Sequence, residues 1–189
     1  MTPTVGAPIA NFTDLLLDAV CMVDVGGRFV FVSAACEQIF GYTQQEMIGK
    51  VMIDLVAPAD RARTLAAAQA VMNGHTHINF ENRYVRKDGS IVHIMWSARW
   101  SEADQLRVAV ARDVTCLKET QAVQAALYAI SEAAHASDDL ASLFQRSHEI
   151  IGELLPATGF TVALHDGPGH HLHFADEADD GAPQQAALH

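Results

Sequence analysis

Two strand-like runs, His77 to Arg86 and Ile91 to Ser101, are separated only by Lys87-Asp88-Gly89-Ser90, and this juxtaposition constrains the chain most strongly. Asp-Gly between alternating runs supplies the backbone of a tight reversal, so the two runs are expected to pair as an antiparallel hairpin. A third run, Leu106 to Val114, follows closely. Upstream, Val20 to Val25 (VCMVDV) and Phe29 to Val32 (FVFV) flank Gly26-Gly27 and read as an earlier hairpin. Helical signals fill the interval between the two hairpins. Ser33 stands where an N-cap would, ahead of AACEQIFGY, with Ile39 and Phe40 inward and Gly41 at the end. Short turns are expected at Gln44 to Met47 and Ile53 to Leu55. Pro58 and Asp60 then open a longer helix through RARTLAAAQAVM, ending at Asn73-Gly74 with Leu65, Ala68 and Met72 toward the core. Two strands, a block of helices and three more strands specify an α+β domain whose helices cover one face of an antiparallel sheet.

Beyond Val114 the pattern becomes helical. Cys116, Thr120, Val123, Leu127, Ile130 and Ala134 follow the alternating spacing of a short coiled-coil seam. Ser137-Asp138-Asp139 caps an amphipathic second helix, Leu140 to Leu155, which Pro156 stops. Phe160 to Leu164 and Leu172 to Phe174 read as a small hairpin, and residues 176–189 have the composition of a disordered acidic tail. Charge divides at the same place. Residues 11–115 hold 10 basic and 12 acidic side chains, whereas residues 116–189 hold 2 and 11. The total of −11 argues against a nucleic-acid partner. No run of about 18 apolar residues predicts a membrane span. Cys21, Cys36 and Cys116 fit neither a disulfide framework nor a zinc motif, so a reducing cytoplasm is the expected setting.

Several motifs, in order, carry a family likeness: Asp24-Val25-Gly26-Gly27-Arg28 with FVFVSAACEQIFGY, Gly49-Lys50, Arg86-Lys87-Asp88-Gly89-Ser90, and Ala111-Arg112-Asp113-Val114-Thr115. With these, residues 12–115 resemble a PAS domain of bacterial signalling proteins. Residues 127–174 are similar to the beginning of a GAF domain of the kind that follows PAS domains in sensor kinases and diguanylate cyclases. The expected organisation is an N-terminal flank (1–11), the PAS-like domain (12–115), a signalling helix (116–136), a truncated GAF-like segment (137–175) and the tail. The resemblance implies a five-stranded sheet of order 2-1-5-4-3 cupping a pocket. It also implies an input and dimerisation module, with Asp113 and Thr115 relaying a signal from the last strand into the helix. Both are good N-cap residues at the start of the seam. The implied partners are a second copy of the chain and an output domain of a longer parent.

Inward residues expected to line the pocket are Val32, Cys36, Ile39, Phe40, Leu55, Leu65, Met72, Phe80, Tyr84, Met95 and Val110. Such residues serve a core equally well, so the domain is expected to hold either no cofactor or a small apolar ligand. Val51-Met52-Ile53-Asp54 follows Gly49-Lys50 in place of a reactive-cysteine run, which argues against flavin photochemistry. His75 and His77, just past the long helix, leave a haem reading open. A second alternative is a metal site on His165, His171 and His173, should the terminal hairpin bring them to one side. No phosphate loop, nucleophile elbow, zincin pair or kinase signature is present, so the chain is expected not to be an enzyme itself. His135 and His148 lack the context of a phosphoacceptor. Arg83, Arg86 and Lys87 form a basic patch, read as a solvated sheet edge or a dimer contact.

Overall fold

In the computed structural model, residues 13, 15–136, 140–154, 162–166 and 171–175 are described. The first hairpin pairs β1 (Ala19–Val23) with β2 (Phe29–Val32). Its turn closes on Asp24, whose Oδ1 accepts from the Arg28 N–H at 2.8 Å, with Gly27 at φ 79°. Helices α1 (Ala35–Phe40) and α2 (Gln44–Met47) follow, then two 3-10 turns at Met52–Leu55 and Pro58–Asp60, and then α3 (Arg61–Met72). The sheet is completed by β3 (His77–Val85), β4 (Ile91–Ser101) and β5 (Leu106–Asp113), in the order β2-β1-β5-β4-β3. All of its pairings are antiparallel. The α+β architecture and strand order read from the sequence are those observed.

The outer edge of β2 is not left bare. Phe29 N–H donates to the Lys50 carbonyl, Gly49 N–H to the Phe29 carbonyl and Met52 N–H to the Gly27 carbonyl, so the segment after α2 seals the edge. On β3, Asn79 at φ 61° accompanies the irregularity between His77 and Phe80, a left-handed position that asparagine tolerates. The core lies between the sheet and the helices. Phe29, Val32, Cys36, Phe40, Met47, Val56, Tyr84, Val92 and Ile94 are buried there, with the rings of Phe40, Tyr84 and Trp96 in mutual contact.

Two expected caps are otherwise employed. Ser33 does not cap α1; its buried Oγ accepts from the Val20 N–H at 2.9 Å, tying the strand exit to β1. Asp60 does not cap α3 either, because its carboxylate is taken by Arg83. Gly41 ends α1 as expected, in the left-handed conformation at φ 76° with its N–H donating to the Glu37 carbonyl. Thr43 and Glu46 form a reciprocal capping box on α2.

The chain separates into two compact units, Met1–Lys118 and Glu119–His189. Helix α4 (Thr115–Ala136) begins in the first, while the second also holds α5 (Leu140–Leu154) and a hairpin of β6 (Val162–Asp166) with β7 (His171–Ala175). Along α4, Ala126 and Ala133 are the buried positions, while Val123 and Leu127 of the expected seam are exposed. The expectations for residues 1–11, for Ser137-Asp138-Asp139 and for the tail lie outside the described residues. Among the described residues no helix is long and apolar enough to cross a membrane.

Candidate functional site

Between α3 and the inner face of the sheet lies a cavity of about 50 Å³. It exists because small side chains meet there: Ala67 and Ala68 from α3 face Ala98 of β4 and Ala109 of β5. Val71, Phe80, Tyr84, Trp96, Phe29, Cys21 and Val23 complete an apolar wall. One end is polar, with Thr64, Asn82 and Arg107. Asn82, buried, donates through Nδ2 to Thr64 Oγ1 at 2.9 Å and accepts from Trp96 Nε1 at 2.9 Å. Thr64 Oγ1 in turn donates to the Asp60 carbonyl at 2.8 Å. These groups satisfy one another, as buried polar groups must. Arg107 is different: its Nη2 lies 2.8 Å from Met52 Sδ, and the residue is only 6% exposed. Burial lowers its pKa from the ordinary arginine value, yet a guanidinium remains charged throughout the physiological range. Burial likewise pushes the Tyr84 phenol upward, so it stays protonated.

Of the residues expected to line the pocket, Phe80 and Tyr84 do so. Val32, Cys36, Ile39, Phe40 and Leu55 are buried in the core but do not line this cavity. Four further residues correct the sequence reading. Met95 and Val110 belong to the other face of the sheet, since Ile94 and Trp96 on β4 and Ala109 and Ala111 on β5 are the buried neighbours. Leu65 is 52% exposed and Met72 half-buried, because α3 turns Thr64 and Val71 inward instead. The β5 error has one origin. Leu106-Arg107-Val108-Ala109-Val110-Ala111 is apolar at both parities, and taking arginine as the outward residue shifts every inward assignment by one. A charged residue sharing the parity of two alanines was the available signal for both the cavity and Arg107.

At the opposite end of β5, the exit into α4 is held by a connected set of bonds. Asp113 Oδ1 accepts from the Thr115 N–H at 2.8 Å, and its Oδ2 accepts from Arg86 Nη2 at 2.9 Å. Thr115 Oγ1 accepts from the His93 N–H at 3.0 Å, while Val114 N–H donates to the His93 carbonyl at 2.9 Å. Arg86 also reaches α1, its Nε donating to the Ile39 carbonyl at 2.9 Å. Lys118, in the first turn of α4, pairs with Glu81 of β3 at 2.6 Å. The start of α4 is thereby bonded to β3, β4, β5 and, through Arg86, to α1.

The basic patch resolves into structural pairs. Arg83 holds both oxygens of Asp60, Arg86 is bound to Asp113, and Lys87 Nζ lies 2.7 Å from Glu46 Oε1. The Arg83 guanidinium keeps the Asp60 carboxyl well below the usual carboxylate range, against the burial that acts in the other direction, and Arg63 adds to the lowering.

The haem reading does not fit the described lining. His75 is exposed, its Nδ1 3.2 Å from the Ala70 carbonyl oxygen, and His77 is the first residue of β3, in register with Ala98. No histidine lines the cavity among the described residues, and about 50 Å³ is well below the roughly 300–1,000 Å³ of cofactor sites. In the terminal hairpin, His165 stands opposite Leu172, His171 opposite Asp166 and His173 opposite Leu164. The side chains of His165, His171 and His173, on which the metal reading rests, lie outside the described residues.

Residues 29–109 match the sequence model of the family described as the PAS fold. No curated protein matches the chain. Among solved structures, the chain is similar to a domain of a sensory box sensor histidine kinase/response regulator from Geobacter sulfurreducens, at 20% identity and a TM-score of 0.49, over 55% of this chain and 89% of that one. It is also similar to the PAS domain of a Colwellia psychrerythraea protein, at 26% identity and a TM-score of 0.49, over 56% and 93%. A third is a sensory box histidine kinase/response regulator from Burkholderia thailandensis E264, at 24% identity and a TM-score of 0.46, over 55% and 82%. The family match across residues 29–109, together with the antiparallel β2-β1-β5-β4-β3 sheet that those residues help to build, gives the first unit of this chain the PAS fold.

Proposed function

We propose that the chain is a sensory input module of a signal-transduction protein, in which the state of the PAS cavity is relayed through Asp113 and Thr115 into α4. The observation that carries this reading is the bonded junction at the β5 exit. Ala109 lines the cavity on the same strand that ends, four residues later, at the carboxylate holding the first N–H of α4. A side chain at Ala109 that moves would therefore pull on a strand whose end is fixed to the helix by directional bonds. On this reading the domain has no chemistry of its own; it is a two-state element whose populations an occupant biases. Output belongs to a longer parent, of the histidine kinase or diguanylate cyclase type. The exposure of Val123 and Leu127 on α4 supports pairing of that helix with a second copy.

The test is hydrogen–deuterium exchange on the whole chain carrying Asp113→Ala. The expected result is faster exchange at residues 115–119, with protection of β1, β4 and β5 retained. Unchanged exchange in the first turn of α4 would contradict a relay through this junction.

A further inference from the structure

The arginines on and beside this sheet differ in what neutralises them. Arg83, Arg86 and Arg112 each lie against a carboxylate, of Asp60, Asp113 and Asp18 respectively. Arg99 on β4 is exposed to water, whereas Arg107 on β5 is buried and lies against no carboxylate among the described residues. The sole hydrogen-bond partner of its side chain among the described residues is the Met52 thioether, a weak acceptor for one of five N–H donors. The neighbouring Asn82 offers no relief, its oxygen and nitrogen being engaged by Trp96 and Thr64. A buried cation without a counter-charge is costly to maintain, so the fold keeps at this spot a charge whose complement it does not itself supply.

The geometry points to a short monocarboxylate as the occupant of the cavity, its carboxylate on the Arg107 guanidinium and its alkyl body against Ala98 and Ala109. This rests on the sensory reading above and names the class of ligand. Planar, forked donors match a carboxylate bidentately. One guanidinium balances one negative charge, and the rest of the wall is apolar apart from groups already paired, which disfavours a dicarboxylate or a phosphate. Size agrees: about 50 Å³ corresponds to roughly four water-sized sites at ~10–15 Å³ each, the scale of acetate to butanoate.

The probe is sodium propanoate, added to the whole chain against sodium chloride at equal ionic strength, with propanamide as the neutral shape analogue. Propanoate is expected to raise the melting midpoint saturably, by about 5 °C at ten times its Kd. Propanamide and chloride should give no such rise. Arg107→Met retains the apolar volume, removes the unpaired charge and should weaken propanoate binding at least ~10-fold. Equal stabilisation of Arg107→Met, equal effects of propanoate and propanamide on the unmodified chain, or no effect of acetate, propanoate and butanoate would each overturn the assignment. The comparison of propanoate with propanamide needs no variant, so it decides the matter even if Arg107→Met fails to fold. If propanoate has no effect while Asp113→Ala still loosens α4, the ligand class is wrong and the relay stands. Should propanoate bind through Arg107 and Asp113→Ala leave α4 unchanged, the site stands and the relay falls.

Discussion

At the scale of single residues, Asp60 is the most consequential acidic side chain. It is buried, receives two side-chain bonds and one backbone bond from Arg83, and has Arg63 at 3.2 Å. Asp60→Ala is expected to lower stability by about 2 kcal/mol in a urea melt, the Arg83 side of the pair being exposed enough to rehydrate. Asp60 also sets a pH dependence. Its folded pKa is depressed, so the stability it contributes is complete above the unfolded carboxylate value of about 3.9 and is lost as pH falls from there through the folded value. Chemical denaturation from pH 6 down to pH 2 should therefore show acid destabilisation that is smaller in Asp60→Asn; an identical slope in the two proteins would contradict this. Neither Asp60 nor Ser33 could be assigned these partners from sequence. Both sit where a helix cap is locally correct, and tertiary partners at Arg83 and Val20 took the side chains instead. Arg107 was missed for a related reason: strand alternation favours the outward placement of a charge, and only the presence of the cavity makes the inward one sensible.

At the scale of elements, what was legible followed the strength of the local signal. The Gly-Gly and Asp-Gly turns located the β1–β2 and β3–β4 hairpins, and the alternation around them located the strands to within a residue or two. Faces were harder. The run RARTLAAAQAVM in α3 has alanines on every side, so its sequence does not distinguish the Leu65 face from the one carrying Thr64 and Val71. The turn after α1 provides a sharp test of the local account. Gly41 is left-handed, and a Cβ there would sit 3.4 Å from Lys87 Cβ. Gly41→Ala should cost about 1–2 kcal/mol in thermal or urea denaturation. Exposed positions of α4 should behave in the opposite way. Leu127→Ser is expected to change stability by less than about 0.5 kcal/mol, because the side chain is 63% exposed, while weakening any self-association seen by sedimentation. A large loss of stability would mean that Leu127 is packed within one chain.

For the whole molecule, two features meet on one strand. β5 carries Arg107 and Ala109 into the cavity and ends at Asp113, where bonds from Thr115 and Arg86 fix the start of α4. The acidic balance of the chain belongs largely to the residues beyond 115 and has no part in this link. The proposed coupling of the cavity to the helix through this junction can be probed by filling the cavity without any ligand. Ala109→Val adds two methyl groups to a lining residue with a side chain suited to a strand, and tolerable overpacking of this kind costs roughly 1–3 kcal/mol. Hydrogen–deuterium exchange of residues 115–122 should then differ between Ala109→Val and the unmodified chain, and the difference should vanish when both carry Asp113→Ala. Exchange in α4 that is unaffected by Ala109→Val, or affected equally with Asp113 absent, would contradict the coupling.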